Sequence, residues 1–229
     1  MSCFLFMIAA MEDTCSCAKP KELCVCDPDL SFENKHFVYI LQHPQESDEL
    51  LGTAVLVQKM LKNSKLKTTL SVANLKHELG SHVVYSRWLV LYLGSKYKLR
   101  ELKSQSNPKM LHVFNKKGEE LDLNPNEVDG IIVLDGTWPQ TKSLWWRNPW
   151  LLKCYRAVIL PPRPSLYGQF RREPRKESLS TIEAVAYALL ELGEDSRIAQ
   201  TLLNKFQELI NKFRQYHSAG IKPEAPPQG

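Results

Sequence analysis

The residues of this chain best suited to chemistry include an Asp that directly follows a continuously apolar stretch. Asp135 and Gly136 come after the run 130–134, and Thr137 and Trp138 follow them. An Asp at the end of a buried strand, with Gly beside it, places a carboxylate on a tight turn that a ligand can approach closely. Asp and Thr are also common at helix starts, so a simple turn or helix cap is the other interpretation.

A long loop rich in proline and arginine is the second candidate site. The segment 160–174 begins with two prolines and becomes cationic in its second half, at Arg171 and Arg172. Long loops in compact domains are usually functional. Ser180 and Glu183 follow in the S-x-x-E spacing of a capping box, which predicts the start of a helix. A bare helix N-terminus behind this loop could hold a carboxylate or a phosphate.

A tight cluster of cysteines indicates a metal site. Two C-x-C pairs, Cys15 with Cys17 and Cys24 with Cys26, are separated by six residues. Because there is no convincing secretory signal peptide, we expect a reducing compartment, in which such a cluster favours zinc over disulfides. We predict a structural zinc site with all four thiolates as ligands. The alternatives are a site in which only some of the four cysteines bind the metal and a reduced, metal-free tail.

Positive charge is concentrated in one stretch, although the formal net charge of the whole chain is only +5. Residues 142–176 contain nine Lys or Arg residues and one acidic residue. Such a block predicts an anionic partner such as nucleic acid, and a solvated surface is the alternative. Trp, Tyr and Pro, rather than Glu, are interleaved with these charges. The candidate RNA-binding residues are Lys142, Arg147, Lys153, Arg156, Arg175 and Lys176.

Composition excludes several classes of protein. Hydrophobic residues at 43% and charged residues at 24% are close to globular averages, which excludes wholesale disorder, collagen and a disulfide miniprotein. No apolar run approaches the roughly 18 residues that a membrane helix needs, so we expect no membrane span.

We interpret residues 1–11 as a disordered or mis-started N-terminus, 12–35 as the zinc segment, 36–217 as a catalytic domain and 218–229 as a disordered tail.

Alternating strand and helix patterns must position the candidate residues. Strand patterns occupy 36–41, 67–72, 88–93, 111–114, 130–134 and 156–160, and a hairpin turn is predicted at 115–118. Helical patterns occupy about 47–62, 180–192 and 195–216, and a polar helical piece is expected between the strands at 67–72 and 88–93. This alternation predicts an α/β domain with a mainly parallel sheet flanked by helices. Ligands of such sheets bind at the carboxyl ends of the strands.

Several short motifs, in the same order along the chain, closely resemble the DTW domain family. They are the cysteine segment, H-P-Q-E at 43–46, G-T-A at 52–54, D-G-T-W at 135–138, Y-x3-R-R-E-P at 167–174 and L-S-T-x-E-A at 179–184. The resemblance covers roughly residues 15–190. The chain departs from the family at its first cysteine pair, which is C-x-C where C-x2-C is expected.

The resemblance implies a tRNA-uridine aminocarboxypropyltransferase. Such an enzyme transfers the 3-amino-3-carboxypropyl group of S-adenosylmethionine to N3 of a tRNA uridine and releases methylthioadenosine. The family is similar to the SPOUT superfamily, so a knotted C-terminal cofactor site is expected. The reducing compartment inferred from the cysteines predicts a cytoplasmic location. The alternatives are a SPOUT-like methyltransferase, which would release S-adenosylhomocysteine, and a noncatalytic zinc-containing RNA-binding module.

The resemblance also assigns roles to individual residues. Asp135, with Thr137 and Trp138, would be catalytic: Asp135 as a base, although its unperturbed pKa of about 3.9 demands desolvation, or as a ligand of the methionine amino group. Trp138 would stack on adenine or uracil, unless it is a core residue. The candidate cofactor-binding residues are Gly136, Leu160, Pro161, Pro162, Ser165, Tyr167, Arg171, Arg172, Ser180, Thr181 and Glu183. His43 and Glu46 would complete the pocket, unless His43 is purely structural.

Overall fold

A seven-stranded sheet forms the centre of the computed structural model, which describes residues 17, 19–91, 102, 109–168, 170 and 178–218. The strands are β1 (Phe37–Gln42), β2 (Ser64–Thr68), β3 (Trp88–Leu91), β4 (Leu111–Phe114), β5 (Glu120–Leu121), β6 (Gly130–Asp135) and β7 (Tyr155–Ile159). Their spatial order is β2, β1, β6, β3, β7, β4, β5. The first five strands in this spatial order are parallel to one another, and β4 and β5 are antiparallel to their neighbours. The predicted α/β fold with a mainly parallel sheet is confirmed.

Helices cover both faces of this sheet. They are α1 (Ala54–Met60), α2 (Leu75–Leu79), α3 (Trp138–Arg147), α4 (Thr181–Glu191) and α5 (Ser196–Ser218). Short 3-10 helices lie at Lys21–Leu23, Pro44–Glu46, Tyr85–Arg87, Pro125–Glu127 and Pro149–Lys153. The main core lies between one face and α1, α4 and α5. A second cluster on the other face includes Leu75 of α2 and Leu144 of α3.

The alternation of side chains along β6 determines which face each residue serves. Ile131 and Val133 pack into the main core, whereas Ile132 between them packs into the second cluster. Because successive strand residues point to opposite faces, Asp135 points to the same face as Ile131 and Val133. The last residue of the strand is therefore directed towards the side covered by α4.

Two predicted elements are shifted and one helix is missing from the prediction. The helix expected from Ser47 begins at Ala54, because residues 44–52 form a 3-10 helix and turns in which Ser47 Oγ donates to Pro44 O. The strand expected at 67–72 lies at Ser64–Thr68, since its pairing with β1 ends at Thr68. The helix α3 is not apparent in the sequence, because Leu144 is its one buried residue and the repeated core positions typical of an amphipathic helix are absent.

The predicted hairpin is confirmed, with β4 and β5 paired and Gly118 at a φ of +86° in the turn. The predicted terminal segments and part of the connection between β7 and α4 lie outside the described residues, so the disordered ends and the knot stay predictions. Within the described part of the chain, no helix is both long and apolar enough to cross a membrane.

Candidate active site at the carboxyl edge of the sheet

Asp135 lies at the carboxyl end of β6 and is only 7% exposed. Gln42 is its register partner at the end of β1, and Gln42 Nε2 donates to Asp135 Oδ2 at 2.9 Å. Thr181, the first residue of α4, donates from Oγ1 to Asp135 Oδ1. Both carboxylate oxygens therefore accept hydrogen bonds, which fixes the plane of the carboxylate.

The network extends across the edge of the sheet to β2. Thr68 Oγ1 donates to Gln42 Oε1 at 2.9 Å, which orients the Gln42 amide so that its nitrogen faces Asp135. Three strand ends and one helix start are thus joined through a single buried carboxylate. Sequence reasoning missed Gln42, although its place as the last residue of a buried strand is the same signal that selects Asp135.

The turn after Asp135 shows that its carboxylate is not a helix cap. The N-cap residue of α3 is Thr137, whose backbone N–H donates to Gln140 Oε1 at 2.6 Å. Gly136 has a φ of +155°, and a Cβ placed there would lie 2.9 Å from Gln140 Cβ and 3.4 Å from His43 Cβ. Glycine at this position lets the chain turn away while the Asp135 side chain stays directed at Gln42 and Thr181.

Trp138 is the first residue of α3 and is 45% exposed. The alternative interpretation of Trp138 as a core residue is therefore wrong. Its stacking on a ligand stays a prediction.

Glu183 connects the loop after β7 to the start of α4. The predicted capping box is confirmed, since Ser180 Oγ accepts from Glu183 N at 3.3 Å and Glu183 Oε2 accepts from Ser180 N at 3.0 Å. The buried Glu183 carboxylate also accepts from Ser165 Oγ at 2.7 Å and from Leu166 N at 2.9 Å. Ile182 N donates to Thr53 Oγ1 at 3.2 Å, so the N-terminus of α4 is occupied by side chains of the protein, and Glu183 holds the loop against it.

Tyr167 fixes the same loop to the other side of the core. Its ring packs edge-on against Phe206, with centroids 5.0 Å apart, and its hydroxyl donates to Leu51 O at 3.0 Å. Leu160 packs in a small apolar cluster, Pro161 is half-buried and Pro162 is exposed. Contacts of these residues with a cofactor stay predictions.

Lys19 is a buried residue that sequence reasoning missed. Its Nζ donates to Leu50 O at 2.7 Å and to Glu49 O at 3.3 Å, which ties the cysteine segment to the loop before α1. Burial lowers the pKa of Lys19 to about 8, and the charges that oppose this shift include those of Cys17 and Asp135. Lys19 thus lies within electrostatic reach of both the cysteine cluster and the candidate active site.

His43 lies beside Asp135 at the same edge of the sheet, and Glu46 lies in the 3-10 helix that follows His43. His43 N donates to Asp135 O at 2.9 Å, and His43 Nδ1 accepts from Gln45 N at 3.3 Å as the cap of a 3-10 helix. Glu46 is buried at the end of that 3-10 helix. The expected position of both residues at a neighbouring strand end is confirmed, and a role in the pocket stays a prediction.

Three cysteine sulfurs converge into a candidate metal site. The Sγ atoms of Cys17, Cys24 and Cys26 all lie within 4.8 Å of one another. Three thiolates this close can supply three corners of a tetrahedral zinc site, and the fourth predicted ligand, Cys15, lies outside the described residues. Lys212 of α5 donates to Cys24 O at 2.5 Å, so the segment is attached to the core on that side.

We predict that the purified protein contains about one equivalent of zinc, because three thiolates already converge. Replacing Cys24 by Ser should lower the metal content and the melting temperature together, since the metal orders a polar segment. Metal analysis by mass spectrometry with thermal denaturation tests this. The matched control is Cys154→Ser, a buried cysteine in the second core cluster, which should change stability without changing zinc content. Zinc well below about half an equivalent in unchelated protein would contradict the prediction.

The described basic residues divide between exposed and half-buried positions. Lys142 and Arg147 are exposed on α3, and Lys153 is exposed with its Nζ 5.4 Å from the centroid of the Tyr85 ring. Arg156 is half-buried in β7 and donates from Nη2 to Asn115 O at 3.2 Å. The remaining predicted cofactor or RNA ligands, Arg171, Arg172, Arg175 and Lys176, lie outside the described residues.

Comparison with known proteins identifies the family. Residues 12–214 match the DTW domain. tRNA-uridine aminocarboxypropyltransferase 2 of Macaca fascicularis is 30% identical over 221 residues, covering 93% of this chain and 67% of that protein. The protein of the same name from Mus musculus is 28% identical over 213 residues, covering 90% of this chain and 64% of its own length.

The same named protein from Drosophila melanogaster is 26% identical over 199 residues, covering 84% of this chain and 71% of its own length. This chain therefore spans about two thirds of the length of these relatives. No solved structure matches it. The match over nearly the whole chain establishes that the protein belongs to the DTW domain family.

Proposed function

We propose that this protein is an enzyme that transfers the 3-amino-3-carboxypropyl group of S-adenosylmethionine to N3 of a tRNA uridine. The names of its relatives and its membership of the DTW domain family support this activity. The observation that carries the proposal is the buried Asp135 carboxylate at the carboxyl edge of the sheet, oriented by Gln42 and Thr181. This edge is where parallel α/β sheets bind their ligands.

In this proposal Asp135 accepts the proton from uridine N3. The N3–H group is a weak acid, so a positioned base assists the attack. A bond forms between N3 and the γ-carbon of the methionine group, and the bond from that carbon to sulfur breaks. The sulfur keeps the electron pair and leaves as methylthioadenosine, while the proton passes through Asp135 to solvent.

A buried hydroxyl just before α4 is suited to binding S-adenosylmethionine. Ser178 Oγ is buried just before the capping box and has no hydrogen-bond partner among the residues that the structure describes, whereas a buried hydroxyl of this kind is normally paired. It can bind a polar group of the ligand, such as its amino or carboxylate group. When bound, S-adenosylmethionine supplies a carbon that already carries a good leaving group. The protein then has to position that carbon next to N3. Glu183 holds the loop that would position it.

The identity of the released nucleoside tests the proposal directly. Wild-type protein incubated with S-adenosylmethionine and unmodified transcribed tRNA should release methylthioadenosine, measured by liquid chromatography and mass spectrometry. Release of S-adenosylhomocysteine would identify a methyltransferase instead. Absence of both products, with RNA binding retained, would identify a noncatalytic binding module.

We expect tRNA binding to weaken with salt, with part of this dependence due to Lys142 and Arg147. Each phosphate neutralised contributes about 0.7–0.9 to the slope of log affinity against log salt. The double variant Lys142→Ala, Arg147→Ala should therefore reduce that slope by about 1.5, measured by filter binding. The matched control is Lys62→Ala, Lys109→Ala, which removes the same charge from two exposed lysines that already pair with Glu33 and Asp122. Equal slopes in the two double variants would mean that these α3 charges do not contact RNA.

A further inference from the structure

Exposed apolar side chains are concentrated around α3. Among the described residues, the exposed large hydrophobic side chains are Val84, Trp138, Trp146, Leu152 and Leu190. Two of them, Trp138 and Trp146, belong to α3, whose third tryptophan, Trp145, is half-buried against the second core cluster. Trp146 is 72% exposed, the most of the set. An indole ring carries a large apolar surface whose burial would be favourable. Two exposed indole rings in one short helix therefore need an explanation.

The two tryptophans and a lysine lie on one side of α3. Trp138, Lys142 and Trp146 are spaced i, i+4 and i+8, so their side chains form a continuous stripe along the helix. At 1.5 Å per residue, Trp138 and Trp146 are about 12 Å apart along the helix axis. The opposite side of the helix is anchored by Leu144, which is fully buried in the second core cluster.

The charged residues of α3 and of the segment directly after it are all positive. From Gly136 to Lys153 the chain contains Lys142, Arg147 and Lys153 and no acidic residue. Aromatic faces interleaved with cations are the combination that binds single-stranded nucleic acid, since bases stack on the rings and phosphates meet the charges. An apolar protein partner would not need this uniform charge.

The position of the stripe relates it to the candidate active site. Trp138 is three residues beyond Asp135, and α3 carries Trp146 two turns farther along the helix. N3 of uridine lies on its base-pairing edge, so the acceptor must be unpaired when it reacts. Its neighbours in the strand are then available for stacking.

We propose that the face of α3 formed by Trp138, Lys142 and Trp146 binds an unpaired strand of the tRNA, with Trp146 stacking on a base that flanks the acceptor uridine. This inference rests on the proposed function for the identity of the RNA. It adds that the enzyme recognises a single-stranded segment through stacking rather than a double helix through its shape.

The test uses fluorescence anisotropy with labelled oligouridylate and with the same strand annealed to oligoadenylate. Trp146→Ala should bind the single strand about 5- to 150-fold more weakly, whereas Trp146→Phe should lose much less because a ring remains. Binding of the duplex should be weak and unaffected by either change. The melting temperature of both variants should match the wild type, since the side chain is largely exposed.

Leu152→Ala is the matched control. Leu152 is 59% exposed and follows α3, but it has no ring on which a base can stack. Wild-type affinity for the single strand in Trp146→Ala would overturn the proposal and leave this face to a protein partner. An equal loss in Leu152→Ala would also overturn it, because the contact would then be generally apolar. The methylthioadenosine assay on the wild type separates failure of this inference from failure of the proposed function, since strand binding is measured without S-adenosylmethionine.

Discussion

Replacing Asp135 by Asn is expected to lower the rate of transfer about 10²- to 10⁴-fold in single turnover, the usual contribution of a general base. The amide has the shape of the carboxylate but cannot take a proton from N3. The hydrogen bonds can adapt, because Gln42 can reverse its amide and the Thr68 hydroxyl can accept as well as donate. Affinity for S-adenosylmethionine and thermal stability should therefore change little.

Thr181→Val is the informative comparison for Asp135→Asn. It removes the hydroxyl that donates to Asp135 Oδ1 and leaves the carboxylate in place. If Thr181 only positions the base, its loss should lower the rate less than Asp135→Asn does. A fall in cofactor affinity with an unchanged chemical step in Asp135→Asn would instead mark Asp135 as a binding residue. A wild-type rate of transfer in Asp135→Asn would show that Asp135 takes no part in the reaction.

Replacing Glu183 by Ala is expected to be the most destabilising single change at this site, lowering the free energy of unfolding by about 3 kcal/mol. The buried carboxylate accepts hydrogen bonds from the backbone of Ser180 and Leu166 and from the hydroxyls of Ser165 and Ser180. Without it, these donors are left unsatisfied and the loop after β7 is released from α4. Urea denaturation measures the loss.

Glu191→Ala is the matched control for Glu183, since it removes the same side chain from an exposed position of the same helix. It should change the free energy of unfolding by no more than about 0.5 kcal/mol. Glu183→Gln keeps the volume and should still accelerate hydrogen exchange of the Leu166 amide, which donates to Oε1 in the wild type. Equal stability of the two alanine variants, or unchanged exchange at Leu166, would refute the role given to Glu183.

The position of the candidate base could be predicted from the sequence because it depends on a local pattern. The apolar run 130–134 indicates a strand covered on both faces, and the residue after it must lie at the carboxyl edge. The capping box at Ser180 and Glu183 is similarly local. In both cases a few consecutive residues contain the whole signal.

The partners of these residues could not be predicted, because they depend on which segments become neighbours. Gln42 and Asp135 are 93 residues apart in the chain, and only the sheet order places β1 beside β6. Lys19 is buried although lysine is almost always exposed, and its carbonyl acceptors lie about thirty residues away. The exposure of Trp146 could not be predicted either, because tryptophan side chains are on average largely buried.

The origin of the transferred atoms tests the central claim most directly. Wild-type protein is incubated with unmodified tRNA and S-adenosylmethionine labelled either in the carboxyl group or in the S-methyl group, and the digested nucleosides are analysed by mass spectrometry. We predict that the carboxyl label appears on uridine, that the methyl label leaves with methylthioadenosine, and that Asp135→Asn abolishes most of the transfer. Methyl label on the RNA, with carboxyl label retained in S-adenosylhomocysteine, would contradict the claim.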